Sequence, residues 1–256
     1  MTGLAEHADA VAAARAHLDR RSVQAPLGAL PEEFESSRGD LHRVAEHVLK
    51  PKRELETGNE IALCFTPGGF GSPPWERGES SGSSGQIRVE GTEMVLVQDG
   101  EERRAEIGNL QAEAELVGAE TAGVEAGEGI AADPDAAAAI ADWFAFGTVV
   151  LAELIAGHPD TDPEPIRLWP EHFDVATVLG LEADEARANF GASPGDEDHP
   201  EPYLYVGPWV EQSGELWNAS AFPGAELSHR ELLAADDQIE AAKTFFAARL
   251  DALAGA

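Results

Sequence analysis

The sequence has a single cysteine in 256 residues. Cys64 therefore closes no intrachain disulfide and builds no cysteine zinc cage. Within Ile61-Ala62-Leu63-Cys64-Phe65 it is expected to be a buried, inert thiol. Lysine is almost missing: Lys50, Lys52 and Lys243 stand beside 14 arginines, and the 17 basic residues face 48 Asp and Glu, a formal charge of −31. Without clustered cations there is no footprint for nucleic acid and no attraction to an anionic membrane face, so neither is expected as a partner. Scarce lysine with abundant acid also fits adaptation to high salt, where screening over about 3 Å at 1 M quiets self-repulsion.

Long apolar runs are missing too. The most apolar stretch, 143–152, is about ten residues, against roughly 20 needed to span a bilayer. The first residues carry Glu6 and Asp9 among alanines, unlike a secretory signal, and a cytoplasmic location is expected. Nucleotide-cofactor signatures are absent: neither G-x-x-x-x-G-K-[ST] nor G-x-G-x-x-G occurs, and no G-x-S-x-G elbow or H-E-x-x-H pair is found. Gly68-Gly69-Phe70-Gly71 follows a strand-like segment, but Pro73-Pro74 bars a helix N-terminus there, so a tight turn at a sheet margin is expected rather than a phosphate cradle.

What is present is a globular pattern, 43% hydrophobic. Residues 4–20 predict a peripheral Ala-rich helix. Asp40 is a candidate N-cap for a second helix with Leu41, Val44, Ala45, Val48 and Leu49 at helical spacing, ended by Pro51. Residues 59–66 turn strand-like, and 78–85 is a Gly/Ser loop. From Gln86 the period becomes two, predicting strands at 86–90, 93–98 and 101–107 with Asp99-Gly100 as a hairpin turn. A short helix at 108–117 and an acidic Gly/Ala linker at 118–132 follow. The next helix is well marked: Asp133 caps it, Pro134 opens it, and Gly157-His158-Pro159 ends 134–156. Apolar over more than half its circumference, it belongs in the core. Strand-like runs at 165–169, 173–179, 187–193 and 202–208 precede a C-terminal helix at 236–254.

This order predicts an α+β fold: antiparallel sheet or sheets with a buried central helix and flanking N- and C-terminal helices. One compact domain is expected. Strands followed by a helix occur in both 1–117 and 133–256, which allows two pseudo-similar halves, although no internal sequence repeat is visible.

Chemistry concentrates in the second half. In Trp169-Pro170-Glu171-His172-Phe173-Asp174, an extended chain would project His172 and Asp174 from one face, about 6–7 Å apart. A carboxylate beside an imidazole makes a general base with its orienter, so these two are the candidate catalytic pair. The opposing reading is a His–Asp hydrogen bond that only satisfies two half-buried polar groups. Asp196, His199 and Glu201 lie in an acidic hairpin loop and are weak candidates for a divalent metal. In Tyr203-Leu204-Tyr205-Val206-Gly207-Pro208-Trp209 both tyrosines share a face. With Trp169, Trp209 and Trp217 they are the candidate ligand-binding wall, although ordinary cores also look this way.

These residues carry a resemblance. The W-P-x-H-F-D run at 169–174, Ser193-Pro194-Gly195-Asp196, the E-P-Y-x-Y-V-x-P-W run at 201–209 and the later Trp217 together resemble a bacterial family, largely actinobacterial, to which no activity is assigned. Thr66-Pro67-Gly68-Gly69-Phe70-Gly71 is similar to that family's N-terminal half, and the likeness covers about residues 35–250. Related sequences carry W-P-H-H-F-D, whereas this chain has Glu171, which argues against a two-histidine metal site. The resemblance implies a grouping and no reaction.

Two readings follow. In one, His172 and Asp174 lie in a cleft within hydrogen-bond reach of each other, the tyrosines facing the same space, and a small molecule binds there. In the other, the motif is structural, His172 is fully buried and paired, and the protein is a non-catalytic scaffold or interaction module.

Overall fold

A computed structural model describes residues 2–21, 24–59, 63–77, 82–119 and 129–255, of 2–7 the backbone only. The architecture is α+β, two antiparallel sheets on a central helix. Helix α1 (Thr2–Leu18) is followed by α2 (Phe34–Val44), a π-helical stretch (Ala45–Leu49) and α3 (Lys50–Thr57). The first sheet is a meander of β1 (Cys64–Thr66), β2 (Gly69–Gly71), β3 (Gly85–Glu90), β4 (Glu93–Gln98) and β5 (Glu101–Glu106). Helix α4 (Leu110–Val117) leads towards α5 (Pro134–Gly157). The second sheet, also a five-stranded meander, contains β6 (Arg167–Trp169), β7 (Asp174–Leu179), β8 (Ala188–Ser193), β9 (Tyr203–Pro208) and β10 (Ala225–Ser228), before α6 (His229–Ala234) and α7 (Gln238–Ala254).

Local chemistry accounts for the elements that sequence reading placed. Asp99 and Gly100 both have positive φ, +51° and +84°, which the tight β4–β5 hairpin needs. The Asp133 side chain accepts from the amides of Asp135 and Ala136, and Pro134 sits in the first turn of α5. From Ala141 through Leu151 every residue of α5 is buried, because α5 packs against β7 and β8 of one sheet and β1 and β2 of the other. A helix of this length and apolarity would suffice to cross a membrane, but here most of it is buried inside the protein. The sheets meet edge to edge where the Leu168 amide donates to the Leu63 carbonyl at 2.8 Å.

Several expectations are corrected. Asp40 does not cap a helix; α2 begins six residues earlier at Phe34, and Asp40 accepts from the Ala131 amide and pairs with Arg43. Pro51 does not end the helix. The wider π-helical turns just before it carry the chain past the missing N–H into α3. Residues 69–71 form a strand rather than a turn, and β10 was not anticipated because Ala225–Ser228 is short and has only a weak alternating pattern. The C-terminal helix starts at Gln238, after the separate α6. Cys64 is half-buried at the start of β1, not sealed in the core. The linker at 118–132 falls mostly outside the described residues, as does half of the 78–85 loop.

Candidate functional site

The second sheet has two faces of different character. Leu168, Val175, Leu179, Phe190, Ala192, Leu204 and Val206 point inward and are buried in the core. The alternate positions, Trp169, Asp174, Asn189, Gly191, Ser193, Tyr203, Tyr205 and Gly207, form the outer face. Two cavities open on it. The smaller, about 320 Å³, is lined by Trp169, Trp209, Arg167 and Glu164 among others. The larger, about 720 Å³, reaches Arg38, Asp196, His199, Tyr203 and Phe222. His172, Asp174, Asn189 and Tyr205 line both and so stand where the cavities meet.

The register explains the central pair. Gly191 faces Tyr205 across β8–β9, and a Cβ on residue 191 would lie 2.4 Å from two carbons of the tyrosine ring. Glycine there lets the ring lie across the sheet, and the Tyr205 hydroxyl donates to Oδ2 of Asp174. Phe222 closes the ring's flank edge-on at 6.3 Å. Asp174 is 5% exposed, and its other oxygen, Oδ1, is buried with no partner among the described residues. Burial raises its pKa from 3.8 to about 6, although the Tyr205 hydrogen bond and the nearby His172 oppose the rise. Tyr205 in turn is pushed well above its usual 10, by burial first and then by the carboxylate.

A second aspartate–tyrosine pair sits one step along the same face. Tyr203 donates to Asp196 Oδ2 at 2.6 Å, and Asp196 Oδ1 receives the amides of Asp198 and His199. The His199 ring lies over Tyr203 at 4.3 Å and bridges Asp196 and Glu226, each 3.1 Å from one ring nitrogen. Burial raises the Asp196 pKa, but these hydrogen bonds outweigh it and hold it below normal. Two carboxyls on one face are thus pushed in opposite directions: the Asp196 pKa is lowered by its hydrogen bonds, while burial raises that of Asp174 to about 6. Such divergence is the usual basis of acid–base chemistry.

The 169–174 motif is not the extended strand its alternation suggested. Trp169 and Asp174 pair across the β6–β7 hairpin, and 170–173 is the turn. Phe173 has φ +53° and inserts into the core, its ring 5.0 Å from Phe70, 5.1 Å from Phe144 and 5.2 Å from His42. Packing on three sides holds a left-handed conformation that phenylalanine otherwise avoids. His42 stacks flat on Phe173 and its Nε2–H donates to the Pro170 carbonyl at 2.9 Å; burial lowers its pKa. Glu171 pairs with Lys50 at 2.6 Å.

His172 consequently sits exposed at the cavity rim. It influences Asp174 by charge but shares no hydrogen bond with it, so the expected base-and-orienter pair is replaced by Asp174 with Tyr205. The prediction of a sealed, paired His172 is not met either. Trp209 is 56% exposed, donates to Asn189 at 3.3 Å, and carries the Arg187 guanidinium over its ring at 5.3 Å. Trp217 belongs to the rim of the core, not to either cavity. The weak metal set is not brought together: Glu201 turns out to pair with Arg230, while Asp196 and His199 engage each other. Among the described residues no group of three metal-binding side chains is placed around one point.

Sequence reasoning missed Arg38, His42 and Asn189. Arg38 reaches from α2 to the carbonyls of Asp196, His199 and Pro200, 3.2 Å each, and holds the Ser193–Asp196 loop in place. No periodicity could reveal contacts across some 160 positions of chain; only the unusual burial of an arginine, visible in the fold, reports them.

No family model, curated protein or solved structure matches this chain. The site is therefore read from its own geometry.

Proposed function

We propose that the outer face of the second sheet binds a small molecule, with the Asp174–Tyr205 pair as its polar centre, Trp169 and Trp209 as walls, and His172 at the mouth. One observation carries this reading: a buried carboxylate oxygen, Asp174 Oδ1, has no partner at the junction of two cavities. An unsatisfied buried acceptor costs about 1–3 kcal/mol, and a ligand donor would recover it. The cavity volumes lie in the range of small-molecule sites. If the bound molecule is also transformed, Asp174, its pKa raised to about 6, is the group able to give and take a proton, with Asp196, its pKa lowered, beside it. We place this activity in the cytosol and expect no cofactor of the nucleotide type.

The test is a thermal-shift screen of metabolites on the wild type and on Asp174→Asn. A ligand at a hundred times its dissociation constant stabilises the folded state by about 2.7 kcal/mol. A hit that is lost in the variant supports the site; a hit indifferent to Asp174, Tyr205 and Trp209 refutes it.

A second reading rests on Phe173. Phe173 is 1% exposed and packs on β2 of the first sheet through Phe70 and on the central helix α5 through Phe144, so the W-P-x-H-F-D run also serves the fold. On that reading the protein is a non-catalytic scaffold, and the exposed Trp209 and Val210, 56% and 43% exposed, are contact points for another macromolecule. Retained ligand-free interactions after Asp174→Asn, lost after Trp209→Ala, would favour it.

A further inference from the structure

Resting on the proposed site, we infer that its ligand carries a primary ammonium group on a flat apolar body, with the ammonium held at Asp174 Oδ1 and the body between Trp169 and Trp209.

The charge inventory around Asp174 supports this class. The nearby arginines and lysine already have a duty: Arg187 pairs with Glu164 at 2.7 Å and Asp162 at 3.3 Å, Arg167 with Glu164 at 3.5 Å, Lys50 with Glu171, and Arg38 with three carbonyls, while His172 at the rim acts on Asp174 by charge without a hydrogen bond. None pairs with Asp174. Its Oδ2 is taken by a neutral phenol and its Oδ1 by nothing, so an ionised Asp174 lies buried with no cation hydrogen-bonded to it. A buried carboxylate of that kind is completed best by a charged N–H donor, which supplies both the missing hydrogen bond and the missing charge.

The walls fit the same ligand. Trp169, Tyr205 and Trp209 line the smaller cavity, and aromatic faces attract a cation while covering an apolar body. Acidic groups outnumber the arginines in the lining: Glu164 and Asp174 stand against Arg167 in the smaller cavity, and Glu171, Asp174, Asp196, Glu197 and Asp198 against Arg38 in the larger, which disfavours an anion. The formal charge of −31 raises the local concentration of cations at such a cleft.

The experiment compares three probes of nearly one shape: 2-phenylethylamine, 2-phenylethanol and 3-phenylpropanoate. Binding to the full chain is measured by titration calorimetry at pH 7.5 and constant ionic strength. The amine is expected to bind at least about tenfold more tightly than the alcohol, as charge-assisted hydrogen bonds exceed neutral ones, with no binding of the carboxylate. Asp174→Asn should erase the preference for the amine. Trp209→Ala, a change at a 56% exposed position, should weaken amine and alcohol alike. Equal binding of amine and alcohol, both sensitive to Trp209, would overturn the ammonium assignment while leaving the small-molecule site standing. No binding by any of the three overturns the assignment as well, and the metabolite screen then decides the site independently.

Discussion

Replacing Asp174 by asparagine perturbs the centre of the site with the least change in shape. The amide keeps an acceptor for the Tyr205 hydroxyl and removes only the ionisable group. Burial raises that group from 3.8 to about 6 in the folded protein. At about 1.4 kcal/mol per pKa unit, the folded state therefore favours the protonated form by roughly 3 kcal/mol relative to the unfolded chain. The sign follows from where the proton binds more tightly. Above pH about 6 both states are ionised and Asp174 adds nothing; as pH falls from about 6 to about 4 the folded state takes up the proton first and gains stability. Urea unfolding of wild type and variant across pH 7.5 to 4 gives the difference in which every other titration cancels. That difference should move by about 2–3 kcal/mol in favour of the wild type as pH falls. Parallel curves would refute the buried, partnerless carboxylate. Tyr205→Phe removes a hydrogen bond that opposes the rise, so the same window should move to higher pH.

Other outcomes follow from the packing. Gly191→Ala places a methyl 2.4 Å from the Tyr205 ring, so the ring must leave Asp174; a loss of about 1–3 kcal/mol by chemical denaturation is expected, together with loss of ligand binding. Phe173→Ala empties the contact between α2, β2 and α5 and should cost about 3–5 kcal/mol, whereas Glu171→Gln, which breaks a half-exposed pair with Lys50, should cost no more than about 1 kcal/mol. If the surface acidity is an adaptation to high salt, the unfolding midpoint should rise steadily from low to molar NaCl; a flat response removes that explanation.

Much of the fold was legible because its signals are local. The Asp99-Gly100 turn, the Asp133-Pro134 start of α5 and the alternation of β3, β4, β7, β8 and β9 each depend on residues within a few positions. The errors share one cause. Pro51, Asp40 and the 170–173 turn were read from local preference, and in each case distant packing prevailed: a π-helical stretch, a bond to Ala131, and the docking of Phe173. The aspartate and the two tyrosines were visible as chemistry, but the pairing of Asp174 with Tyr205 was not, because it depends on a three-strand register and on the empty space above Gly191.

Sequence alone determined the class of this protein: acid-rich, nearly lysine-free, one apolar helix among antiparallel hairpins, with reactive side chains gathered in the second half. Tertiary structure decided which of those side chains meet. Hairpin turns and helix caps are written within a few residues, whereas a site assembled from α2, the β6–β7 turn and β9 takes its geometry from how a shared core is filled. Burial then changed what the residues are, raising the pKa of an ordinary aspartate from 3.8 to about 6.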